Sequence, residues 1–274
     1  FDVSHQCYPH KMLTGRAGAY INETEYGDVS GFTNTDESVH DIFNIGHTST
    51  AVSLATGLAK ARDLAGRTEN IIAVVGDGSM SGGEALEGLN VAGEMHSNLI
   101  ILFNDNDWSI SENHGGMYEK FRALRETGGN APDNLFRAMN LDYRFVADGN
   151  DTEELIRVFS EVKDTKHPVV VHIVTQKGKG LSFAEDDPEG WHRHKPFHLD
   201  TGTAKAPETP GAYDAATVDF VLRTARENPN FVYLSAGIVG GIGLTPEDRA
   251  ALGAQYVDVG IAEEHAVAMA SGLA

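Results

Sequence analysis

Cysteine is almost absent: Cys7 is the single one in 274 residues, so no internal disulfide can form and a reducing compartment, the cytoplasm, is expected. Positive charge is scarce as well. Lys and Arg total 21 against 40 Asp and Glu, a formal net charge of -19, which repels nucleic acid and anionic lipid rather than attracting them. No apolar run reaches the roughly 18 residues that a membrane helix needs, and no charged-then-apolar leader is present, so neither a nucleic-acid nor a membrane role is expected. Internal repeats and low-complexity tracts are missing too. The chain starts at Phe1 without a Met and stops at Leu273-Ala274 inside a stretch of helical periodicity, so it reads as a fragment.

What is present suits a soluble globular fold: 41% hydrophobic residues can build a large core, enough for one large domain and part of another. Short β-rich runs alternate with longer stretches of helical periodicity, the pattern of a parallel sheet wrapped by helices, so the fold class is α/β. A helix is expected from Thr48 or Ser49, either of which can cap it, to about Ala65, and a second over Ser81 to Glu94. Strands are expected at Asn70 to Val75, Leu99 to Phe103 and Val169 to Val174, with a helix over Glu153 to Val162. Between them, Ser111 to Pro132 is rich in Gly, Asn and charge and reads as a long functional or mobile loop. Asp200 to Gly211 has breaker residues and few large apolar ones, so an extended linker is placed at 200–212, separating a domain at 1–199 from the beginning of a similar one at 213–274. That last part reads as a helix from about Tyr213 to Glu227, strands at Phe231 to Ser235 and near Tyr256 to Val259, and a helix opening near Ala262.

The chemistry concentrates at two strand ends. The strand ending at Val75 runs into Gly76-Asp77-Gly78-Ser79, and the next ends at Asn104-Asp105-Asn106. The interval holds one helix and one strand, so both clusters fall on the same edge of the sheet, outside the carboxyl ends of its strands, where open α/β sheets bind ligands. Glycines let the backbone approach a diphosphate, and Asp77 with Asn106 offers hard oxygens to Mg²⁺, which takes few protein ligands alongside phosphate oxygens. A tight turn would explain Gly-Asp-Gly alone; the paired clusters point to a diphosphate and Mg²⁺ site, and their spacing resembles that of the thiamine-diphosphate enzymes.

The versions of these motifs, Gly76-Asp77-Gly78-Ser79-Met80 and Asn104 to Asn113 (NDNDWSISEN), resemble those of the 1-deoxy-D-xylulose-5-phosphate synthase family. So do the opening Phe1 to Lys11 (FDVSHQCYPHK), Gly46-His47-Thr48-Ser49-Thr50, and Asp258 to Val267 (DVGIAEEHAV), in the same order. The resemblance implies a thiamine-diphosphate-binding fold in which Asp77, Asn106 and the Trp108 carbonyl hold Mg²⁺. It implies that Gly78, Ser79 and Asn106 touch the diphosphate, and that Gly46, His47 and Thr48 line the cofactor. His5 and His47 would sit near the reactive carbon, with His114 a further candidate. Glu263 would be the activating carboxyl, buried against the aminopyrimidine, with Glu264 where the family commonly has Gln. The implied reaction condenses pyruvate with glyceraldehyde 3-phosphate, with loss of CO₂, in a homodimer. A transketolase-like transfer of two-carbon units and a non-catalytic cofactor-binding relic stay open as other readings.

Three features depart from that pattern or invite another. Leu181 follows Lys177-Gly178-Lys179-Gly180 where the family commonly has Tyr, and the loop after Asn113 looks short for the family. The His-rich run Trp191 to His198 suggests a metal site, but Arg193 and Lys195 oppose a cation and no carboxylate or Cys is interleaved, so a polar exit segment is expected. Met80, Met95 and Met117 read as packing residues.

Overall fold

The computed structural model describes residues 1–2, 4–206 and 211–274, apart from the side chains of Ser4, His5 and Ala212. Two compact units divide the chain: 1–106 with 119–175, and 107–118 with 176–274.

The first unit opens with a 3-10 turn over Ser4–Cys7, helix α1 (Tyr8–Lys11), a π-helical turn over Met12–Arg16 broken at Gly15, and α2 (Gly18–Ile21). Such short pieces cannot stand on propensity, and ionic contacts hold them. Lys11 Nζ, fully buried, donates to the Ser30 carbonyl at 2.9 Å and to Glu37 at 2.7 Å. Arg16 donates to both Asp41 oxygens at 2.7 and 2.8 Å, and His10 Nε2 lies 2.9 Å from Asp41. Burial pushes the Glu37 carboxyl up, but Lys11 and the Ser30 N–H overcome it and hold it near 2, against an ordinary 4.5; Arg16 foremost holds Asp41 well below the usual carboxylate range. A carboxyl depressed in the folded state adds stability above its unfolded value, and that stability is lost as pH falls through the folded one. Between pH 4.5 and about 2, Glu37→Gln should therefore lose stability with falling pH less steeply than the wild type. Denaturant midpoints across that range would check this, and equal slopes would mean that the Lys11–Glu37 pair is not formed in solution.

A four-stranded parallel sheet follows, in the order β1-β2-β4-β3, from β1 (Ile72–Gly76), β2 (Ile100–Asp105), β3 (Asp142–Val146) and β4 (Val169–Val174). Strand β4, Val-Val-Val-His-Ile-Val, is nearly continuous in apolar residues because a parallel strand is buried on both faces. One face is aliphatic: Ile100, Val146, Val169, Val171 and Ile173 pack with Val158 and Val162 of α8 (Thr152–Val162). The other is aromatic, with Phe103 4.8 Å from Phe121 and 5.4 Å from Phe136 between ring centres.

Phe121 belongs to α6 (Gly116–Glu126), and that corrects the expected Ser111 to Pro132 loop. Gly115-Gly116 and Gly128-Gly129 at the two ends conceal the signal, while Tyr118, Phe121 and Leu124 form one buried stripe, of which Phe121 meets Phe103 of the sheet. Strand β3 and α7 (Leu135–Ala138, Asn134 capping) had no counterpart in the sequence reading.

Helix α3 (Ala51–Leu64) forms where expected, but neither Thr48 nor Ser49 caps it. Asp2 does so across the fold, accepting the Ser49 and Ala51 N–H groups at 2.8 and 2.9 Å. A carboxylate at such a site contributes about 0.5–2 kcal/mol. The helix expected over Ser81 to Glu94 forms as α5 (Gly83–Ala92), and a single turn, α4 (Asp77–Met80), stands apart before it. The break falls at Gly82, whose backbone is extended and where an added Cβ would stand 1.9 Å from Ser49 Oγ.

The second unit holds α9 (Ser182–Asp186), α10 (Ala212–Glu227), β5 (Tyr233–Ser235), α11 (Pro246–Leu252), β6 (Tyr256–Asp258) and α12 (Glu263–Leu273), with β5 and β6 pairing in parallel. Val221 and Ala225 of α10 pack with Leu244 and with Leu252 of α11. Thr245 caps α11 reciprocally with Asp248. Part of the expected linker turns back on itself: His198 N–H donates to the Thr203 carbonyl and Lys205 N–H to that of Pro196, both at 2.8 Å. Residues 207–210 of that linker lie outside the described residues. In the expected polar exit segment His192 to Pro196 are exposed, and Trp191 stacks on His194 at 4.0 Å and stands edge-on to Phe197 at 4.7 Å. No helix among the described residues is long and apolar enough to cross a membrane.

Candidate functional site

Parallel pairing of β1 with β2 puts Gly76 opposite Asn104, so the residues that follow, Asp77 and Asp105-Asn106, emerge at one sheet edge. Asp77, Gly78 and Ser79 form the buried turn α4, and Asp77 Oδ1 accepts the Gly78 N–H at 3.0 Å. Ser49 joins a second motif to this turn. Its hydroxyl donates to the Ser79 carbonyl at 2.8 Å, and it is held at φ 75, a left-handed conformation that costs a non-glycine residue of order 1 kcal/mol or more. Gly46, His47 and Thr48 thus run into Ser49 beside the Asp77–Ser79 turn. His47, exposed, donates from Nδ1 to the Thr48 carbonyl at 2.6 Å, which makes Nε2 the acceptor of the neutral ring.

The turn carrying His5 reaches the same edge. A Cβ on Gly76 would stand 3.0 Å from Gln6 Nε2, so the Gln6 side chain approaches the end of β1 closely, and Gln6 Oε1 is buried with no hydrogen-bond partner among the described residues. The side chain of His5 lies outside the described residues. A carboxylate and a carboxamide at one edge, with an unmet buried acceptor beside them, are a donor set that fits an oxygen-seeking divalent cation carrying a diphosphate.

Asp105, between the two asparagines, is the residue that sequence reasoning undervalued. Burial pushes its carboxyl up, but His172 and Arg125 reverse this and hold it low; burial holds the His172 imidazole down, and burial with the Asp105 charge holds the Tyr143 phenol up. A lone histidine in the apolar strand β4 was the available signal.

Trp108, His114 and Glu263 belong to the second unit. Lys177 donates to the Ser109 carbonyl and lies 5.9 Å above the Trp108 ring. His114 Nε2 is 3.6 Å from Asp258 Oδ2, and Asp258 Oδ1 accepts the N–H groups of Gly237 and Gly260, both at 3.0 Å. These glycines have φ 77 and 72, so this carboxylate ties together the turns after β5 and β6. Glu263 then opens α12 with its side chain exposed. Leu181 caps α9 without a side-chain bond. Cys7 is buried, and burial raises its thiol, which makes it a poor nucleophile.

A family model described as 1-deoxy-D-xylulose-5-phosphate synthase matches residues 1–131 and 125–175. The 1-deoxy-D-xylulose-5-phosphate synthase 1 of Geobacter sulfurreducens is 38% identical over 320 aligned positions, covering 100% of this chain and 49% of its own. Synthases of Natranaerobius thermophilus and Thermosynechococcus vestitus are each 36% identical, with the same two coverages. The chain spans about half the length of the curated relatives it matches.

Proposed function

This chain belongs to the 1-deoxy-D-xylulose-5-phosphate synthase family, and on that premise we propose that it is the cofactor-binding part of an enzyme condensing pyruvate with D-glyceraldehyde 3-phosphate to 1-deoxy-D-xylulose 5-phosphate and CO₂. The observation that carries this reading is the β1–β2 register, which aligns Asp77 and Asn106 at one edge. Asp77 and Asn106, with the Trp108 carbonyl, would hold Mg²⁺; Gly78, Ser79 and Asn106 would hold the diphosphate. Gly46, His47 and Thr48 would line the cofactor. When bound, thiamine diphosphate supplies the carbanion chemistry. His5 and His47 would hydrogen-bond a substrate carbonyl and move protons near neutral pH. The carboxyl of Glu263 would hold a proton at the aminopyrimidine ring.

The domain division at 200–212, a cytoplasmic homodimer and both substrates are part of the same proposal. In the full-length protein with thiamine diphosphate and Mg²⁺, carboxyl-labelled pyruvate should release CO₂, and glyceraldehyde 3-phosphate should stimulate the release and give a five-carbon product. No release despite demonstrated cofactor binding would favour a ketose donor or a non-catalytic role.

A further inference from the structure

Asp105 ends β2 fully buried, in the aromatic layer of the sheet and in sequence between Asn104 and Asn106. Three side chains from three other elements close a hydrogen-bonded chain around it. Arg125 Nη1 donates to both Asp105 oxygens at 2.8 and 2.9 Å, His172 Nε2 donates to Oδ2 at 2.9 Å, and the Tyr143 hydroxyl donates to His172 Nδ1 at 2.7 Å. The donor direction is forced. A carboxylate only accepts, so Nε2 carries the imidazole proton, and Nδ1 of the neutral ring must accept from Tyr143.

Stability alone is a weak reason for this arrangement. Burying ions is costly, and apolar side chains of similar volume would serve a layer already built from Phe103, Phe121 and Phe136. Its place in the chain is more telling. Thr175 N–H donates to the Asp105 carbonyl at 2.9 Å and the Thr175 hydroxyl to Asn104 Oδ1 at 2.6 Å, so both residues before Asn106 are clamped. Directly after it the backbone bends sharply, with Asp107 at φ 65.

We infer that Arg125, Asp105, His172 and Tyr143 are positioning residues that fix the Asn106 end of β2 for a divalent cation carrying a diphosphate. This rests on the cofactor reading above. None of the four need touch the ligand: Asp105 anchors the strand end, and the other three fix Asp105.

Mg²⁺ titrations of the full-length protein at fixed thiamine diphosphate, paired with thermal midpoints of the cofactor-free protein, separate this from a structural role. Residues that orient a metal ligand typically change metal affinity by about 10–100-fold. His172→Leu should weaken Mg²⁺ binding about tenfold, and it should lower the cofactor-free midpoint as well, because it strips the buried Tyr143 hydroxyl of its acceptor and Asp105 of one donor. His172→Gln, whose amide nitrogen can replace Nε2, should stay near wild type. Tyr143→Phe removes only a hydroxyl, so it carries the test if His172→Leu does not fold, and it should weaken Mg²⁺ binding in the same direction by less. Wild-type cation affinity in Tyr143→Phe and in any folded His172→Leu protein would overturn the inference, whatever their stability. If the wild-type protein itself bound no Mg²⁺ and thiamine diphosphate, the cofactor reading would fall first and this inference with it.

Discussion

Asp77→Ala should abolish the Mg²⁺-dependent binding of thiamine diphosphate without unfolding the protein. Asp77 is 2% exposed at the end of β1, and in the proposed site it is the carboxylate ligand. Loss of a direct charged ligand should exceed the 10–100-fold cost of disturbing a ligand's support, so a weakening on the order of 10³-fold is expected, about 4 kcal/mol. The cofactor-free protein should stay folded, because alanine is smaller than aspartate and favours the helical backbone of the α4 turn. Differential scanning with and without the cofactor reads both effects. A ligand at 100 times its Kd stabilises the folded state by about 2.7 kcal/mol, so the wild-type midpoint should rise and the variant's should not. A cofactor-induced rise in Asp77→Ala equal to the wild type would remove Asp77 from the metal site.

Glu263→Gln should separate binding from activation. Glutamine keeps the size and hydrogen-bonding capacity of the side chain but cannot hold a negative charge or exchange a proton at the pyrimidine ring. Cofactor affinity should change by only a few-fold, while exchange of the thiazolium C2 proton, followed by NMR after acid quench, should slow by about 10²–10⁴. The placement of Glu263 supports this choice of residue. It follows the Gly260 turn, whose N–H is held by Asp258, so the carboxyl starts from a fixed backbone although the side chain itself is exposed. Exchange at the wild-type rate would exclude Glu263 as the activating group.

Much of the first unit was legible because its signals are local. Val169 to Val174 is apolar but for His172 and is a strand over those residues, and the glycines and aspartate after Val75 mark the end of β1 whatever packs around them. Helix α6 was hidden because its flanks are glycine-rich and its outer face is charged, so composition outweighed the stripe of Tyr118, Phe121 and Leu124. The turn α4 had no counterpart in the expected elements because nothing in the local pattern shows that Ser49 stands against Gly82 and parts the turn from α5.

By itself the sequence determined the α/β class, the strands β1, β2 and β4, and the pairing of an aspartate cluster with an asparagine cluster one helix and one strand apart. Only the tertiary structure decided which distant groups complete that edge. Asp2 caps α3 across 49 residues, and His172 reaches Asp105 across 67. The reason is topological: β4 inserts between β2 and β3, so its histidine comes to lie beside an aspartate of β2 and a tyrosine of β3, and no local periodicity encodes the order in which strands are laid down.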